Sequence, residues 1–149
     1  MPFDNPKIKT ENFTKQIFVT FQKEGIHQYP GAPAGVEYLQ YPHRHMFHFK
    51  ITLEVFHDDR EVEFILFKRE LERQYDQGTL QLDYKSCEMM ADDIANYIMA
   101  HYPGRDLTVE VSEDGEKGAI CFYEKDSNLV KTDLPDFLTT YASSELELN

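Results

Sequence analysis

The stretch "YPHRHMFHFKITLEV", residues 41–55, decides how the rest of the chain is interpreted. Its apolar residues recur at every second position, which is typical of a β-strand with one buried face. Residues two apart in a strand point the same way. One face therefore carries two histidines followed by an apolar run: His43, His45, Phe47, Phe49, Ile51, Leu53 and Val55. His48 has the opposite parity and points to the other face, so the three histidines are not one cluster.

The other elements follow from similar patterns. "QIFVTFQKE" is a strand followed by a long loop rich in Gly and Pro, and "LTVEVSE" and "AICFYEK" are strands around the turn "DGEKG". Amphipathic helices are predicted at 62–75 and from Ser86 to just before Pro103. The order strand, strand, helix, helix, strand, strand predicts an α+β domain, with a four-stranded antiparallel sheet and both helices on one face.

Length, composition and charge narrow the class of protein. The 149 residues predict a single domain over 1–149, with a core at about 16–125 and a polar, acidic tail at 126–149 that includes a short helix near 134–141. No apolar run suits a membrane span or a signal peptide, and Cys87 and Cys121 have no metal or redox spacing, so we expect a cytoplasmic protein. The formal net charge of -12 argues against nucleic acid and anionic membranes as partners.

The His-x-His pair is a candidate metal-binding motif. Two imidazoles on one strand face can supply two ligands to zinc, and His27, at the start of the long loop, is the candidate third. Three histidines leave a position open for water or substrate, as in catalytic zinc sites. A second interpretation also fits the spacing, in which His43 and His45 lie at a strand start and hydrogen-bond locally.

Three carboxylates are candidate partners of this site. Glu113 extends an apolar strand face, where it could accept two bonds from adjacent N–H groups of a guanine-like or pterin ring; otherwise it is solvated in the turn. Glu37 lies six residues before His43 and is either a base at the site or a solvated loop residue. Glu88, in the first turn of the second helix, also suits the helix dipole.

Taken in order, these residues resemble the 6-pyruvoyltetrahydropterin synthase / 6-carboxytetrahydropterin synthase family, which has the tunnelling fold. "FQKEGIH" is similar to the family's strand that ends in histidine, and "HRHMF" to its His-Gly-His-Asn-Tyr zinc motif. "EFILFK" and "KSCEMMA" resemble its Asp-Phe-x-x-Leu-Lys and Pro-Thr-x-Glu-Asn-Leu-Ala helix starts. "VEVSED" resembles its closing Val-x-Val-x-Glu-Thr strand. The resemblance covers about residues 18–123.

The resemblance implies a ligand set and an assembly. Zinc would lie on His27, His43 and His45, Glu113 would grip the ring of a pterin such as dihydroneopterin triphosphate, and Glu88 would take the glutamate position of the second helix motif. Family members form trimers or hexamers whose sheets close into a barrel around a tunnel, with sites between subunits. A homo-oligomer of this kind is therefore expected.

Two departures from the family pattern concern catalysis. Glu37 stands where the family has its catalytic cysteine, so it would be the base. The family's Leu-Asp-His motif corresponds to "LDY" at 82–84, which keeps Asp83 but has Tyr84 in place of a histidine suited to proton transfer near neutral pH. Three hypotheses follow: a zinc-dependent pterin synthase of the carbon–oxygen lyase type, an inactive tunnelling-fold protein that binds or sequesters a purine- or nucleotide-like ligand, or a structural oligomer without a ligand.

Overall fold

The structure, a computed structural model, describes residues 14–76 and 78–127. The helix expected near 134–141, and the acidic tail beyond residue 127, lie outside this part of the chain. The elements in chain order are β1 (Lys15–His27), a 3-10 helix (Glu37–Gln40), β2 (His43–Val55), α1 (Phe64–Arg73), β3 (Leu80–Gln81), α2 (Cys87–His101), β4 (Leu107–Glu113) and β5 (Lys117–Tyr123).

The strands form one open, mixed sheet in the order β3-β1-β2-β4-β5. The pairs β1–β2, β2–β4 and β4–β5 are antiparallel, and β3 runs parallel to β1. The α+β class is thus confirmed, but within residues 14–76 and 78–127 the sheet has five strands rather than the predicted four and is not wholly antiparallel. The reason is that β3 has two residues, and an element that short carries no periodicity in the sequence.

The core lies between one face of this sheet and the two helices. Alternate residues of β2 and β4 are buried, as their parity predicts: Phe47, Phe49, Ile51, Leu53, Leu107, Val109 and Val111. From the helices, Phe67 and Leu71 of α1 and Met90, Ile94 and Ile98 of α2 join the same buried cluster. Burying each such side chain stabilises the fold by roughly 1.5–3 kcal/mol.

Both helices begin at a residue that caps the free backbone N–H groups. The Glu63 carboxylate accepts hydrogen bonds from the amides of Ile65 and Leu66, and the Ser86 hydroxyl accepts one from the amide of Met89 at 3.2 Å. The predicted N-cap at Ser86 is therefore confirmed. Between residues 14 and 127, Gln77 aside, no helix combines the length and the apolar character needed to cross a bilayer.

Candidate metal centre

Three histidines meet at one end of the sheet because of the register between β1 and β2. His27 ends β1 and lies opposite His43, which begins β2. His45 has the same parity and lies opposite Gly25. The three rings share the core face, with centroids 4.6, 5.0 and 5.5 Å apart. His48 has the other parity, so the predicted division of the histidines agrees with the structure.

Gly25 and Phe47 shape the apolar side of this cluster. The ring of Phe47 lies edge-on to His27 and His45, with centroids 5.1 and 5.8 Å away. A Cβ on Gly25 would lie 2.7 Å from Leu82 Cδ1 and 3.0 Å from the Phe47 ring, closer than packed carbon atoms approach. The missing side chain at Gly25 therefore leaves room for Leu82 and for the Phe47 ring that lies against His27 and His45.

Each of the three imidazoles has its Nδ1 in a hydrogen bond with an oxygen that can only accept. The three bonds are His27 Nδ1 to the Lys85 carbonyl at 2.9 Å, His43 Nδ1 to the Tyr41 carbonyl at 2.8 Å and His45 Nδ1 to Asp114 Oδ2 at 2.8 Å. Nδ1 therefore carries the proton in each neutral ring, and Nε2 keeps its lone pair. Metal-binding histidines are oriented by bonds of this kind.

The three histidines lie close enough together to hold a metal ion. One ligand nitrogen from each of His27, His43 and His45 lies within 4.8 Å of the others. Nε2 of His27 and Nε2 of His45 are buried without a hydrogen-bond partner, which costs about 1–3 kcal/mol for each group. Burial lowers the pKa of His27, which favours the neutral form that binds metals. The cluster can hold a metal ion, and an ion there would offset the cost of the unpaired nitrogens.

Glu113 lies beside the histidines. It ends β4 and pairs with Phe47 of β2, so its side chain stands on the same face of the sheet. Its Oε2 is 3.1 Å from Nε2 of His45, and its Oε1 is 3.6 Å from Nε2 of His27. Neither contact is a hydrogen bond, in keeping with protons on the Nδ1 atoms. The structure brings Glu113 to the cluster rather than leaving it solvated in the turn.

The other three predicted site residues are all exposed. Glu37 is exposed, and hydrogen bonds from its own amide and from that of Gly35 lower the pKa of its carboxyl. Asp83 is exposed, and its carbonyl accepts a bond from the Gln28 amide at 2.8 Å. Glu88 is exposed in the first turn of α2. The hydrogen bonds and ion pairs within 14–76 and 78–127 do not link Glu37, Asp83 or Glu88 to the histidines.

Asp114 is a site residue that the sequence analysis did not identify. Its carboxylate accepts bonds from His45 Nδ1 and, at 3.0 Å, from the amide of Met46, while its own amide donates to the Met46 carbonyl at 2.7 Å. Its backbone has φ of 57°, a conformation that Asp adopts more readily than most residues. The sequence predicted the turn "DGEKG" that follows β4, but it did not predict the bond from Asp114 to His45.

Lys85 is the second residue that was missed. Its carbonyl orients His27, and its buried ammonium group forms an ion pair with the carboxylate of Asp93 in α2. The Leu82 amide donates to the Ile26 carbonyl at 3.0 Å, so this segment runs alongside the end of β1. No local pattern in the sequence predicts this contact, because it depends on how β3 meets β1.

Comparison of the sequence with models of known protein families finds no match, and comparison with curated proteins finds none. The structure shows an α+β protein with a cluster of three histidines that is able to hold a metal ion. The resemblance to tetrahydropterin synthases stays a prediction.

Proposed function

We propose that this protein is a zinc protein of the 6-pyruvoyl/6-carboxytetrahydropterin synthase type that binds a pterin at the histidine cluster. The observation that carries the proposal is the set of Nε2 atoms: each of the three rings uses Nδ1 for a hydrogen bond, and two of the Nε2 atoms are buried without a partner. Three neutral imidazoles are a ligand set of catalytic zinc sites. The resemblance in sequence favours zinc over other metals that bind imidazole.

Groups near the cluster suit a flat ring with N–H donors. The carboxylate of Glu113 can accept two hydrogen bonds from adjacent donors on a pterin ring. Four tyrosines are roughly half exposed or more, and their faces could stack on such a ring. Tyr29 (51%), Tyr38 (67%) and Tyr41 (65%) lie within five residues of His27 or His43, and Tyr84 (47%) precedes Lys85.

In the catalytic form of the proposal, the site residues have different tasks. Zinc held by the three histidines would supply a Lewis acid for the hydroxyl and carbonyl oxygens of the substrate's side chain, as in dihydroneopterin triphosphate. Glu113 orients the ring, and Glu37 accepts and returns the proton that moves between carbons. Asp83 assists from the segment that borders His27. We place this chemistry in a cytoplasmic trimer or hexamer with sites between subunits.

A second candidate function is binding without turnover. Here the protein is a tunnelling-fold module that holds a purine- or nucleotide-like ligand on the same zinc and Glu113. Two observations favour it: the carboxylate of Glu37 is bonded to the amide of Gly35, and Tyr84 stands where the family has a histidine. Of the carboxylates proposed for the site, Glu113 alone contacts the cluster in the part of the chain that the structure describes.

Calorimetry and turnover assays on protein saturated with zinc test both candidates. Glu113→Ala should weaken pterin binding about tenfold or more, because ring donors in a closed site lose their acceptor. Glu37→Ala should leave binding unchanged and stop turnover if Glu37 is the base. Tight binding by the wild type with no turnover supports the second candidate. If zinc-loaded wild-type protein binds neither a pterin nor a purine, both candidates are refuted.

A further inference from the structure

We propose that Glu113 is a fourth protein ligand of the ion held by the three histidines, so that this chain can complete the coordination shell by itself. The inference rests on the metal site of the proposed function and adds to it. A site of three histidines has a position open to water, whereas three histidines and one glutamate make a closed site until a ligand displaces the carboxylate.

The distances fit a shared ion. Nitrogen and oxygen ligands of tetrahedral zinc lie about 2.0–2.2 Å from the metal, which separates neighbouring ligand atoms by roughly 3.3 Å. The Glu113 oxygens lie 3.1 Å from Nε2 of His45 and 3.6 Å from Nε2 of His27. Oε2 makes the shorter contact and Oε1 the longer one, and the two separations are on either side of the tetrahedral value. One cation could therefore contact both nitrogens and one carboxylate oxygen after small side-chain shifts.

The chemistry of the contact also favours a cation. Both Nε2 atoms carry lone pairs, because their rings hold the proton on Nδ1. The carboxylate of Glu113 is likewise a hydrogen-bond acceptor. Its oxygens therefore face two buried nitrogen acceptors, Nε2 of His27 and Nε2 of His45, with no donor between them. One proton could serve only one of these nitrogens, whereas a divalent ion serves both of them and the carboxylate together.

The backbone holds Glu113 in this position. Its neighbour Asp114 donates its amide to the Met46 carbonyl at 2.7 Å, and the Glu113 carbonyl accepts a bond from the amide of Glu116 at 3.0 Å. The side chain is 21% exposed. Glu113 therefore reaches the cluster from the ordered end of β4, and a metal gains a negatively charged ligand without a loop having to move.

The carboxylate of Glu113 then has two tasks, one before and one after the ligand enters. In the ligand-free protein Glu113 lies on the metal. An entering pterin offers ring N–H donors to Glu113 and an oxygen to the coordination position that the carboxylate leaves. The ligand must therefore exchange with Glu113 rather than fill an open site, and coordination by water is suppressed while the site waits for ligand.

The test uses the full chain without pterin and the variants Glu113→Gln and Glu116→Gln. Both remove one negative charge from the same turn, but Glu116 is exposed. Competition with a chelator should show zinc affinity lower by about tenfold to a hundredfold in Glu113→Gln, the scale on which groups supporting a metal site act, and within about twofold of wild type in Glu116→Gln. The d–d absorption of bound Co²⁺ should change in Glu113→Gln alone. Equal affinity and spectra in both variants and the wild type would overturn the inference.

A second measurement needs no variant. Azide binds Co²⁺ where water occupies a position, so azide should leave the spectrum of the wild-type Co²⁺ protein unchanged. A shift at low azide concentration would mean an open position and would contradict a fourth protein ligand. His43→Ala distinguishes a failure of the metal site from a failure of the Glu113 ligand. If it keeps full zinc affinity, the proposed metal site itself fails; if it loses zinc while Glu113→Gln does not, only the role of Glu113 fails.

Discussion

His27 and His43 are direct partners in the antiparallel ladder of β1 and β2, with ring centroids 4.6 Å apart. The same register pairs Phe21 with Phe49, whose rings stack at 4.8 Å in the core. A slip of one residue would turn every side chain of β2 to the other face. The hydrophobic packing that selects this register therefore also assembles the histidine cluster. Both the fold and the site depend on the register between β1 and β2.

The first prediction concerns the three histidines of β2. His43→Ala and His45→Ala should each abolish stoichiometric zinc binding, because each removes one of three converging nitrogens. His48→Ala is the matched control, since His48 pairs with Gln22 and Ser112 on the opposite face. Metal content by mass spectrometry after dialysis measures the effect. Equal zinc in all three variants would show that the site is wrong.

Bound zinc should also stabilise the fold. A ligand that binds only the native state adds about 2.7 kcal/mol at a concentration one hundred times its Kd. Thermal unfolding should therefore move to higher temperature on addition of zinc in the wild type and in His48→Ala, and stay in place in His43→Ala. A zinc-dependent shift of equal size in His43→Ala would contradict the assignment.

The second prediction concerns Asp114 as a positioning residue for His45. In Asp114→Asn the amide oxygen can still accept from the Met46 amide, but its NH₂ group would face His45 Nδ1 and favour the other tautomer. Zinc affinity should fall about tenfold to a hundredfold, as for other partners of metal-binding histidines. Nitrogen-15 NMR should show the tautomer change at His45 and not at His43, whose Nδ1 bonds to a backbone carbonyl. An unchanged His45 tautomer with unchanged affinity would refute the role.

The periodicity of the sequence was enough to predict the faces of the strands. Alternation in β2 places His43 and His45 with Phe47 and Phe49, and the structure has all four on one face. The strand pattern placed His27 at the start of the loop after the first strand, whereas the structure has it as the last residue of β1, opposite His43. Alternation therefore sufficed for the site residues inside β2, but it did not predict where β1 ends.

Contacts between distant segments could not be predicted in the same way. The bond from His27 to the Lys85 carbonyl and that from His45 to Asp114 join residues 58 and 69 positions apart. Their existence depends on β3 meeting β1 and on the turn after β4, neither of which has a periodic signal. The spacing of Glu37 showed that it could reach the site, but not where its side chain points. In the structure its carboxylate accepts a hydrogen bond from the amide of Gly35.

The third prediction concerns assembly. β5 is an edge of the sheet, and its residues Ile120 and Phe122 are 73% and 58% exposed. The other edge is covered only in part, because β3 pairs with two residues of β1. Unpaired edges invite pairing with another chain, so we predict a homo-oligomer, a trimer or hexamer, joined through its sheet edges.

Light scattering at micromolar concentration measures this directly. Phe122→Glu should shift the mass toward the monomer, because it puts a charge on the exposed apolar side of the edge strand. Leu66→Lys is the control, since Leu66 is similarly exposed at 62% but lies on α1. A wild-type protein that is monomeric under these conditions would contradict the predicted assembly.

The fourth prediction concerns acid stability and the pair Glu61–Arg105. Arg105 donates two bonds to the carboxylate, at 3.0 and 2.6 Å, and the amide of Phe56 donates a third at 2.7 Å. The hydrogen bonds from Arg105, with a further contribution from Phe56, lower the pKa of Glu61 from 4.5 to about 2. A carboxyl whose pKa is lower in the folded state stabilises the fold above its unfolded pKa, and that stability is lost as the pH falls through the folded value.

Glu61→Gln removes this dependence. Between pH 5 and about pH 2 the free energy of unfolding should fall more steeply in the wild type than in Glu61→Gln, because only the wild type must protonate a paired carboxylate as it unfolds. Urea titrations at several pH values, with a chelator in every sample, give the two slopes. Asp59→Asn is the control, because Asp59 pairs with Arg60 at the surface with both side chains more than 80% exposed, where an ion pair contributes little. Parallel curves for wild type and Glu61→Gln would mean that the pair with Arg105 does not stabilise the folded state.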